Sequence, residues 1–226
     1  MLCSAGPRSK SVDMTPGKQK TREHLSAERI VGEALALVDS EGLDGFSFRV
    51  LARHLGCEAM SIYHYYPSKT HLFDAMLDTC LSEIRFAETS LHWVEQLRIV
   101  AHQWRAMALR HPGFFPFMAV HRLNTRFALS VLNQLLGLFE GSGREPEWRA
   151  KRFRTLGYYL MGALLDETSG YANGPTTATP VAGEVIAREF PAVVAAGPYF
   201  SAVHHLDTFN RGLEVHLEQM TREANG

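Results

Sequence analysis

The sequence has few cysteines, almost no net charge and no long apolar run. Three widely spaced cysteines, Cys3, Cys57 and Cys80, predict neither a disulfide framework nor a zinc cluster. A redox role for Cys57 or Cys80 is an alternative to the buried hydrophobic role that free cysteine usually has. The longest strongly apolar stretch, Leu156–Leu165, is too short to cross a bilayer. The first residues show no basic region followed by an apolar core, so we expect no secretory signal, a cytoplasmic protein and no membrane partner.

The charge is distributed unevenly along the chain. The formal net charge is -1, yet residues 7–22 carry five basic residues against Asp13 as the single acid. A basic edge on an acidic body is compatible with DNA binding, because only the contacting face must neutralise phosphates. A solvated tail is the alternative. Because residues 1–22 are rich in Ser, Gly, Pro, Thr and Lys, we predict a disordered basic arm there.

Beyond the arm, apolar residues recur at helical spacing and no alternating strand pattern competes. Ser26 is a good N-cap for a first helix that Gly42 ends. A second helix starts after Ser47 and stops at Gly56, and Ser68 caps a long fourth helix. The sequence therefore predicts an all-α protein.

The second half of the chain continues this pattern. Helical spacing breaks at Pro112–Gly113 and resumes from Phe127 to Phe139. The helix predicted from about Glu147 to Tyr171 is apolar on every side in its middle, which requires burial all round. The remaining predicted elements are a loop at 172–183, a short helix near Glu184–Ala196 and a last helix carrying Leu206, Phe209, Leu213, Leu217 and Met220.

Residues 47–66 contain two short helices around a turn at Gly56–Cys57, the arrangement that lets a second helix enter the DNA major groove. That second helix, from about Glu58 to Tyr66, would expose hydroxyl, aromatic and small side chains rather than Glu and Lys. Such groups can touch base edges, thymine methyls and phosphates. An ordinary helical hairpin with tyrosines in its core is the alternative.

The same residues carry a family resemblance. The motifs Leu25–Val31, Gly42–Ser47, Arg49–Gly56, Met60–Lys69 and Leu72–Met76 resemble the tetracycline-repressor (TetR) family of regulators. The resemblance implies an N-terminal three-helix helix-turn-helix domain, here 23–70, and a C-terminal helical domain for effector binding and dimerisation, here 71–226.

The resemblance also implies which residues contact double-stranded operator DNA. Arg49, Ala59, Met60 and Tyr63 match base-contacting positions, and Ser61, Tyr65 and Lys69 match phosphate-contacting positions. Ser47 and His64 complete the predicted DNA-binding set. The position before Arg49 often carries Thr in the family, and here it carries Phe48, which cannot bond a phosphate.

Two stretches of the C-terminal body resemble the family's dimerising helices, the eighth at Arg154–Glu167 and the tenth at Phe209–Leu217, and they look closest to the tetracycline repressor's own branch. Independently, a helix that is apolar all round and a last helix with an apolar seam call for a partner surface. We therefore expect a homodimer, which also suits two-fold operators. A plain core is the alternative.

A small-molecule effector is expected in the body, because its inventory of aromatic and thioether side chains suits a flat or bulky apolar ligand. The candidate residues are Trp104, Phe114, Phe117, Met118, His121, Phe127, Tyr158, Tyr159 and Met161. For each of them, plain core is the alternative. Phe117 looks like the match for the magnesium-binding histidine of the tetracycline repressor, so we do not expect a chelated magnesium–tetracycline complex, although His121 lies only one helical turn on. We expect neither a bound metal nor a cofactor.

These observations predict a ligand-responsive transcriptional repressor that binds a palindromic operator as a homodimer and is released by a largely apolar effector. An effector-independent DNA-binding protein is one alternative. An all-α enzyme is the other, but Gly141-Ser142-Gly143 follows no predicted strand and His204-His205-Leu206-Asp207 lacks a matching nucleophile. The histidines also include no i, i+3 or i, i+4 pair that would form a helical metal site. We therefore expect no catalytic residues.

Overall fold

The computed structural model describes residues 24–86, 90–169 and 177–226. Within these ranges it contains eleven α-helices and no strand, which confirms the all-α prediction. The helices are α1 (Ala27–Glu41), α2 (Phe48–Leu55), α3 (Ala59–Tyr65), α4 (Lys69–Leu81), α5 (Trp93–Arg110), α6 (Phe115–Val120), α7 (Arg126–Leu138), α8 (Pro146–Ser169), α9 (Gly183–Glu189), α10 (Pro191–Ala196) and α11 (His205–Asn225). In the part of the chain that the structure describes, no helix is long and apolar enough to pass through a bilayer.

Serine caps fix the starts of three of the first four helices, as predicted. The hydroxyl oxygens of Ser26, Ser47 and Ser68 accept hydrogen bonds from the backbone N–H groups three residues on, at 3.2, 3.2 and 3.4 Å. Gly42 and Gly56 end α1 and α2 with φ values of 78° and 67°, which glycine adopts without a steric penalty. Local sequence therefore sets the lengths of these helices.

The N-terminal helices enclose a small apolar core. Ile30 of α1, Leu51 of α2, Ile62 of α3 and Leu72 of α4 are all fully buried. The first helix packs against both α2 and α4, and α2 packs against α3. Ile62 is thus the one fully buried side chain of the short α3, whereas Met60, Tyr63, His64 and Tyr65 are exposed.

The centre of the C-terminal body is formed by α5, α8 and α11, which pack against one another. Arginine–glutamate pairs connect them. Arg98 of α5 binds Glu214 of α11 through two hydrogen bonds of 2.6 and 2.8 Å. Arg105 of α5 pairs with Glu167 of α8, and an Arg152–Glu223 pair at 2.8 Å joins α8 to α11.

A polar cluster attaches the N-terminal helices to the body. The carboxylate of Asp39 in α1 accepts hydrogen bonds from the backbone N–H groups of Gly113 and Phe114, at 3.0 and 3.2 Å. His111 lies between Asp39 and Glu83, with its two ring nitrogens 3.0 and 2.9 Å from their oxygens. Because Glu83 follows directly after α4, this cluster holds α1, α4 and the start of α6 in one arrangement.

Two predicted features of the body need correction, and one helix was missed. The middle of α8 is not buried all round within the chain: of its residues only Leu156 and Leu164 are buried. The neighbouring helices leave the stripe of Tyr158, Gly162 and Asp166 exposed. The predicted helix near Glu184–Ala196 is two helices, since Phe190 leaves the helical region (φ -127°, ψ 61°) before Pro191, as the residue before proline tends to do. The short helix α6 was not predicted.

Several predictions lie outside the described residues. They are the basic arm 1–22 with Cys3, the end of the eighth helix at Tyr171 and residues 172–176 of the predicted loop.

Candidate DNA-binding face and effector cavity

The surface of α3 carries the side chains predicted to touch base edges. Ile62 points into the core at 0% exposure, whereas Met60 and Tyr63 are 72% and 46% exposed. His64 is also exposed, and Ala59 and Ser61 are half-buried. This helix thus presents apolar, aromatic and hydroxyl groups to solvent, which argues against a hairpin with tyrosines in its core.

The start of α2 lies beside this surface and supports it. Arg49 and Ser47 are exposed. Because the Ser47 oxygen accepts the N–H of Val50, its own hydroxyl hydrogen stays available to a phosphate. Phe48 is buried and contacts the ring of Tyr63 edge-on, with ring centres 4.8 Å apart. Where the family often has a phosphate-bonding Thr, this chain has a side chain that positions Tyr63.

Two of the predicted phosphate contacts are engaged within the chain. The hydroxyl of Tyr65 donates to the carbonyl of Leu25 at 2.7 Å. Because a tyrosine hydroxyl has a single hydrogen, Tyr65 would have to break this bond in order to donate to a phosphate. The ammonium of Lys69 donates to the carbonyl of Phe46 at 3.3 Å and lies 5.1 Å from the ring centre of Phe73. An ammonium has three hydrogens, so Lys69 keeps donors for a phosphate.

A cavity of about 210 Å³ lies in the body between α5, α6, α7 and α8. Four of the predicted effector residues line it: Trp104, Met118, His121 and Met161. Phe117 lies behind this wall and stacks on the ring of His121, with ring centres 4.5 Å apart.

The other predicted effector residues lie away from this cavity. Phe114 is fully buried in the core beside Phe73. Phe127 and Tyr158 are 40% and 71% exposed on outer helix faces, and neither lines the cavity. Tyr159 lines an open concavity on the α8–α11 face. These positions depend on how the helices face one another, and the type of a residue does not show this.

Tyr159 is held in place by α11. Its hydroxyl donates to the carbonyl of Phe209 at 2.5 Å, and burial raises the pKa of Tyr159 above its ordinary value. Gly212 allows the approach, because a Cβ atom there would lie 2.5 Å from the Tyr159 ring. The role of Tyr159 in this structure is therefore to join the two helices.

Much of the cavity wall consists of aliphatic residues that are not among the predicted effector residues. They include Leu97, Val100, Leu135, Leu156 and Leu160. Their only signal in the sequence is ordinary helical spacing, which marks every core-facing residue equally.

The rim of the cavity is hydrogen-bonded to α4. His121, at the end of α6, lies with its Nε2 atom 3.2 Å from the Asp74 carboxylate. Four residues on, the hydroxyl of Thr125 donates to the Asp78 carboxylate at 2.5 Å. The segment between α6 and α7, which also contributes Leu123 to the cavity, is thus connected at two points to the helix that follows α3.

An uncovered surface runs along α8 and α11. Tyr158 and Val215 are 71% and 64% exposed there. A Cβ atom added at Gly157 or Gly162 would meet nothing within 4 Å. Small and apolar residues without a covering element are typical of a surface that packs against another protein copy.

The two described cysteines differ in their exposure. Cys80 is fully buried, and burial, then the Glu83 and Asp39 carboxylates, raise the pKa of its thiol far above the ordinary value. Cys57 is half-buried in the turn before α3. Within the described ranges no group of three or more His, Cys, Asp or Glu residues is arranged to hold a metal ion.

Two family models match this chain. The model described as "Bacterial regulatory proteins, tetR family" matches residues 30–76, and the one described as "Tetracyclin repressor-like, C-terminal domain" matches residues 87–222. The second covers more than half of the chain. The chain therefore belongs to the TetR family of bacterial regulatory proteins, which confirms the predicted family and the resemblance of the body to the tetracycline repressor.

Individual relatives agree with this assignment. The HTH-type transcriptional repressor DrrR1 of Streptomyces coeruleorubidus is 38% identical over 141 residues, which are 62% of this chain and 52% of that protein. The chain thus spans about half the length of this relative. The class D tetracycline repressor protein of Escherichia coli is 23% identical over 210 residues, 89% of this chain and 95% of that protein.

Solved structures show the same fold. The structure of ActR from Streptomyces coelicolor in complex with actinorhodin has a TM-score of 0.69 and 23% identity to this chain, covering 90% of this chain and 100% of that chain. Both have the N-terminal helix-turn-helix followed by a helical body.

Proposed function

We propose that this chain is a transcriptional repressor that binds operator DNA as a homodimer and is released by a small, largely apolar molecule. The observation that carries the proposal is the connection of one exposed DNA-binding face to one apolar cavity through α4. A cytoplasmic location goes with this function, since bacterial operators lie in the cytoplasm. The proposed domains are 23–70 for DNA binding and 71–226 for effector binding and dimerisation, preceded by the basic arm 1–22.

For DNA binding, the proposal assigns base contacts to Arg49, Ala59, Met60 and Tyr63. Arg49, Met60 and Tyr63 are exposed and Ala59 is half-buried beside them, which suits entry into a major groove. Ser47, Ser61 and Lys69 would bond phosphates through free hydroxyl or ammonium hydrogens, and His64 lies beside them. Tyr65 would reach a phosphate only by exchanging its hydrogen bond to the carbonyl of Leu25.

Dimerisation is assigned to the uncovered surface of α8 and α11. A second copy related by two-fold symmetry would bring the same surface against itself. It would cover Tyr158 and Val215 and so supply the burial that the chain itself lacks around the middle of α8. The dimer would also place two copies of α3 about one DNA turn apart, as a palindromic operator requires.

Release by the effector is assigned to the hydrogen bonds at the cavity rim. A molecule that fills the cavity would press on His121 and Leu123, and the rim would then pull on Asp74 and Asp78 of α4. Because α4 follows α3 after a short turn, a shift of α4 changes the separation of the two α3 helices. Coupling of this kind is typically about 1–3 kcal/mol and is reciprocal, so bound operator should weaken effector binding equally.

The decisive experiment is selection and sequencing of DNA fragments bound by the purified protein. Recovery of an inverted repeat supports both the dimer and the DNA-binding face. If the protein is indifferent to duplex DNA at low ionic strength, the proposal is wrong. A compound panel then separates an inducible repressor, which gains melting temperature with a ligand, from an effector-independent DNA-binding protein.

An enzymatic function has less support. The hydroxyl of Ser142 donates to the carbonyl of Phe139 at 2.6 Å, which does not activate it as a nucleophile. Asp207 pairs with Arg211 on the same helix and so is engaged away from a histidine base. The relatives named above are transcriptional regulators.

A further inference from the structure

The cavity wall is almost entirely apolar, which limits the chemistry of its ligand. Among the described side chains that line it, only Trp104 and His121 carry a nitrogen or oxygen atom. His121 is already bonded to the Asp74 carboxylate. A charged ligand would therefore lose its hydration without gaining a counter-charge, which is strongly unfavourable.

Trp104 provides a hydrogen-bond donor that a ligand could use. Its Nε1 atom is buried and has no hydrogen-bond partner among the described residues. By contrast, the Nε1 atom of Trp148 donates to Glu223 at 2.9 Å. An indole N–H can only donate, and a buried donor without an acceptor is costly. A ligand oxygen in the cavity would provide that acceptor.

The remaining wall residues indicate the shape of the ligand. Phe139 and Phe153 contribute aromatic rings and Met118 and Met161 contribute thioethers, and both groups pack well against flat rings. The volume of about 210 Å³ suits a compact molecule.

We infer that the ligand of this cavity is an uncharged aromatic molecule whose carbonyl-type oxygen accepts a hydrogen bond from Trp104. Its role as effector rests on the proposed function, but the binding chemistry does not. His121 adds a second point of recognition. When the ring is neutral and Nε2–H donates to Asp74, Nδ1 is left as an acceptor for a ligand hydroxyl.

The test uses the full-length protein without DNA and pairs of probes that differ by the carbonyl group. The pairs are 1-tetralone with tetralin, and 2-acetylnaphthalene with 2-ethylnaphthalene. Each is titrated while the three tryptophan indole N–H signals are followed by NMR. We expect the ketones to bind about two- to tenfold more tightly than the hydrocarbons. Only the ketones should shift the Trp104 signal strongly downfield, with the Trp148 signal as an internal reference.

The matched variant is Trp104→Phe, which keeps an aromatic ring and removes the N–H group. It assigns the Trp104 signal and should bind ketones and hydrocarbons equally. Its thermal melting curve verifies that it folds. The inference is overturned if neither ketone binds, if the hydrocarbons bind as tightly, or if the variant keeps the preference for ketones.

The proposed function is tested separately by adding the bound ketone to the protein–DNA complex. A ketone that binds through Trp104 and leaves DNA affinity unchanged would count against effector release and would leave the inference standing. A ketone that releases DNA without contacting Trp104 would support effector release and would overturn the inference about Trp104.

Discussion

The Nδ1 atom of His111 lies 3.0 Å from a carboxylate oxygen of Asp39, and this contact joins the body to α1. The hydrogen bond to Asp39 raises the pKa of His111 above its ordinary value; burial opposes this rise and a second bond, to Glu83, reinforces it. The pKa of Glu83 shifts in the opposite direction. Burial raises it, but hydrogen bonds from His111 and Arg110 outweigh burial and hold it below the ordinary value. The two carboxylates thus favour the protonated form of the ring.

Stability should fall as the pH rises above neutrality. The folded state binds the His111 proton more tightly than the unfolded chain does, so its contribution is complete below about pH 6.5 and is lost as the pH rises through the raised pKa. We expect the melting temperature to decline in this window. His111→Gln should remove most of the decline, whereas His24→Gln, at an exposed position, should keep it. Circular dichroism gives the melting temperature of the unmodified protein and of both variants at each pH. If the melting temperature declined equally with pH in all three, the assignment to His111 would be wrong.

Gly113 should tolerate no side chain. A Cβ atom there would overlap the carbonyl oxygen of Val38 and lie 2.7 Å from the Cα of Asp39, and backbone cannot move aside cheaply. We expect Gly113→Ala to lower the free energy of unfolding by about 1–3 kcal/mol. The control is Gly137→Ala in α7, which meets nothing within 4 Å and should stabilise the helix by about 0.5–1 kcal/mol. Urea denaturation gives both values, and a neutral Gly113→Ala would mean that the two segments are farther apart.

Arg49→Ala should weaken operator binding by about 1–3 kcal/mol and reduce discrimination between the operator and a scrambled duplex, because a bidentate base contact carries that much specificity. Fluorescence anisotropy with both duplexes measures the two effects. Arg144→Ala removes the same charge from an exposed position on the body and serves as the control. If Arg49→Ala reduced affinity for both duplexes equally, Arg49 would be a phosphate contact.

Asp74→Ala should uncouple the cavity from the DNA-binding face. It removes the α4 partner of His121, while Asp74 itself neither lines the cavity nor belongs to the proposed DNA-binding residues. We therefore expect ligand and operator each to bind nearly as before, while the ligand loses most of its ability to release DNA. The control Asp207→Ala removes an exposed carboxylate that pairs with Arg211 on its own helix. Unchanged release by Asp74→Ala would place the coupling elsewhere.

Tyr158→Glu should convert the protein to a monomer. The substitution puts two buried, unpaired charges into the proposed interface, which a two-fold dimer cannot accommodate. Val120→Glu, at a position that is 83% exposed at the end of α6, should leave the dimer intact. Sedimentation velocity at micromolar concentration distinguishes monomer from dimer for each variant. A dimeric Tyr158→Glu protein would show that α8 is not the interface.

The sequence predicted local features well, because local chemistry determines them. The serine caps at Ser26, Ser47 and Ser68 and the glycine ends of α1 and α2 depend on residues within one helical turn. The break before Pro191 was missed even though its cause is equally local, because the apolar pattern of 184–196 continues across it.

Features that depend on distant packing could not be predicted. Tyr159 was assigned to the cavity on its residue type, but Gly212, which lets α11 approach it, lies 53 residues away in the chain. The hydrogen bond from Tyr65 to Leu25 crosses 40 residues. The wall of the cavity depends in the same way on how four helices face one another.

The shielded arginine–glutamate pairs of the body have a consequence for handling the protein. Arg105 and Glu167 are 18% and 8% exposed, so dissolved salt screens their attraction far less than it screens contacts with phosphates. Raising the ionic strength should therefore detach the protein from DNA long before it loosens the helices, which makes elution from an immobilised duplex a gentle purification step.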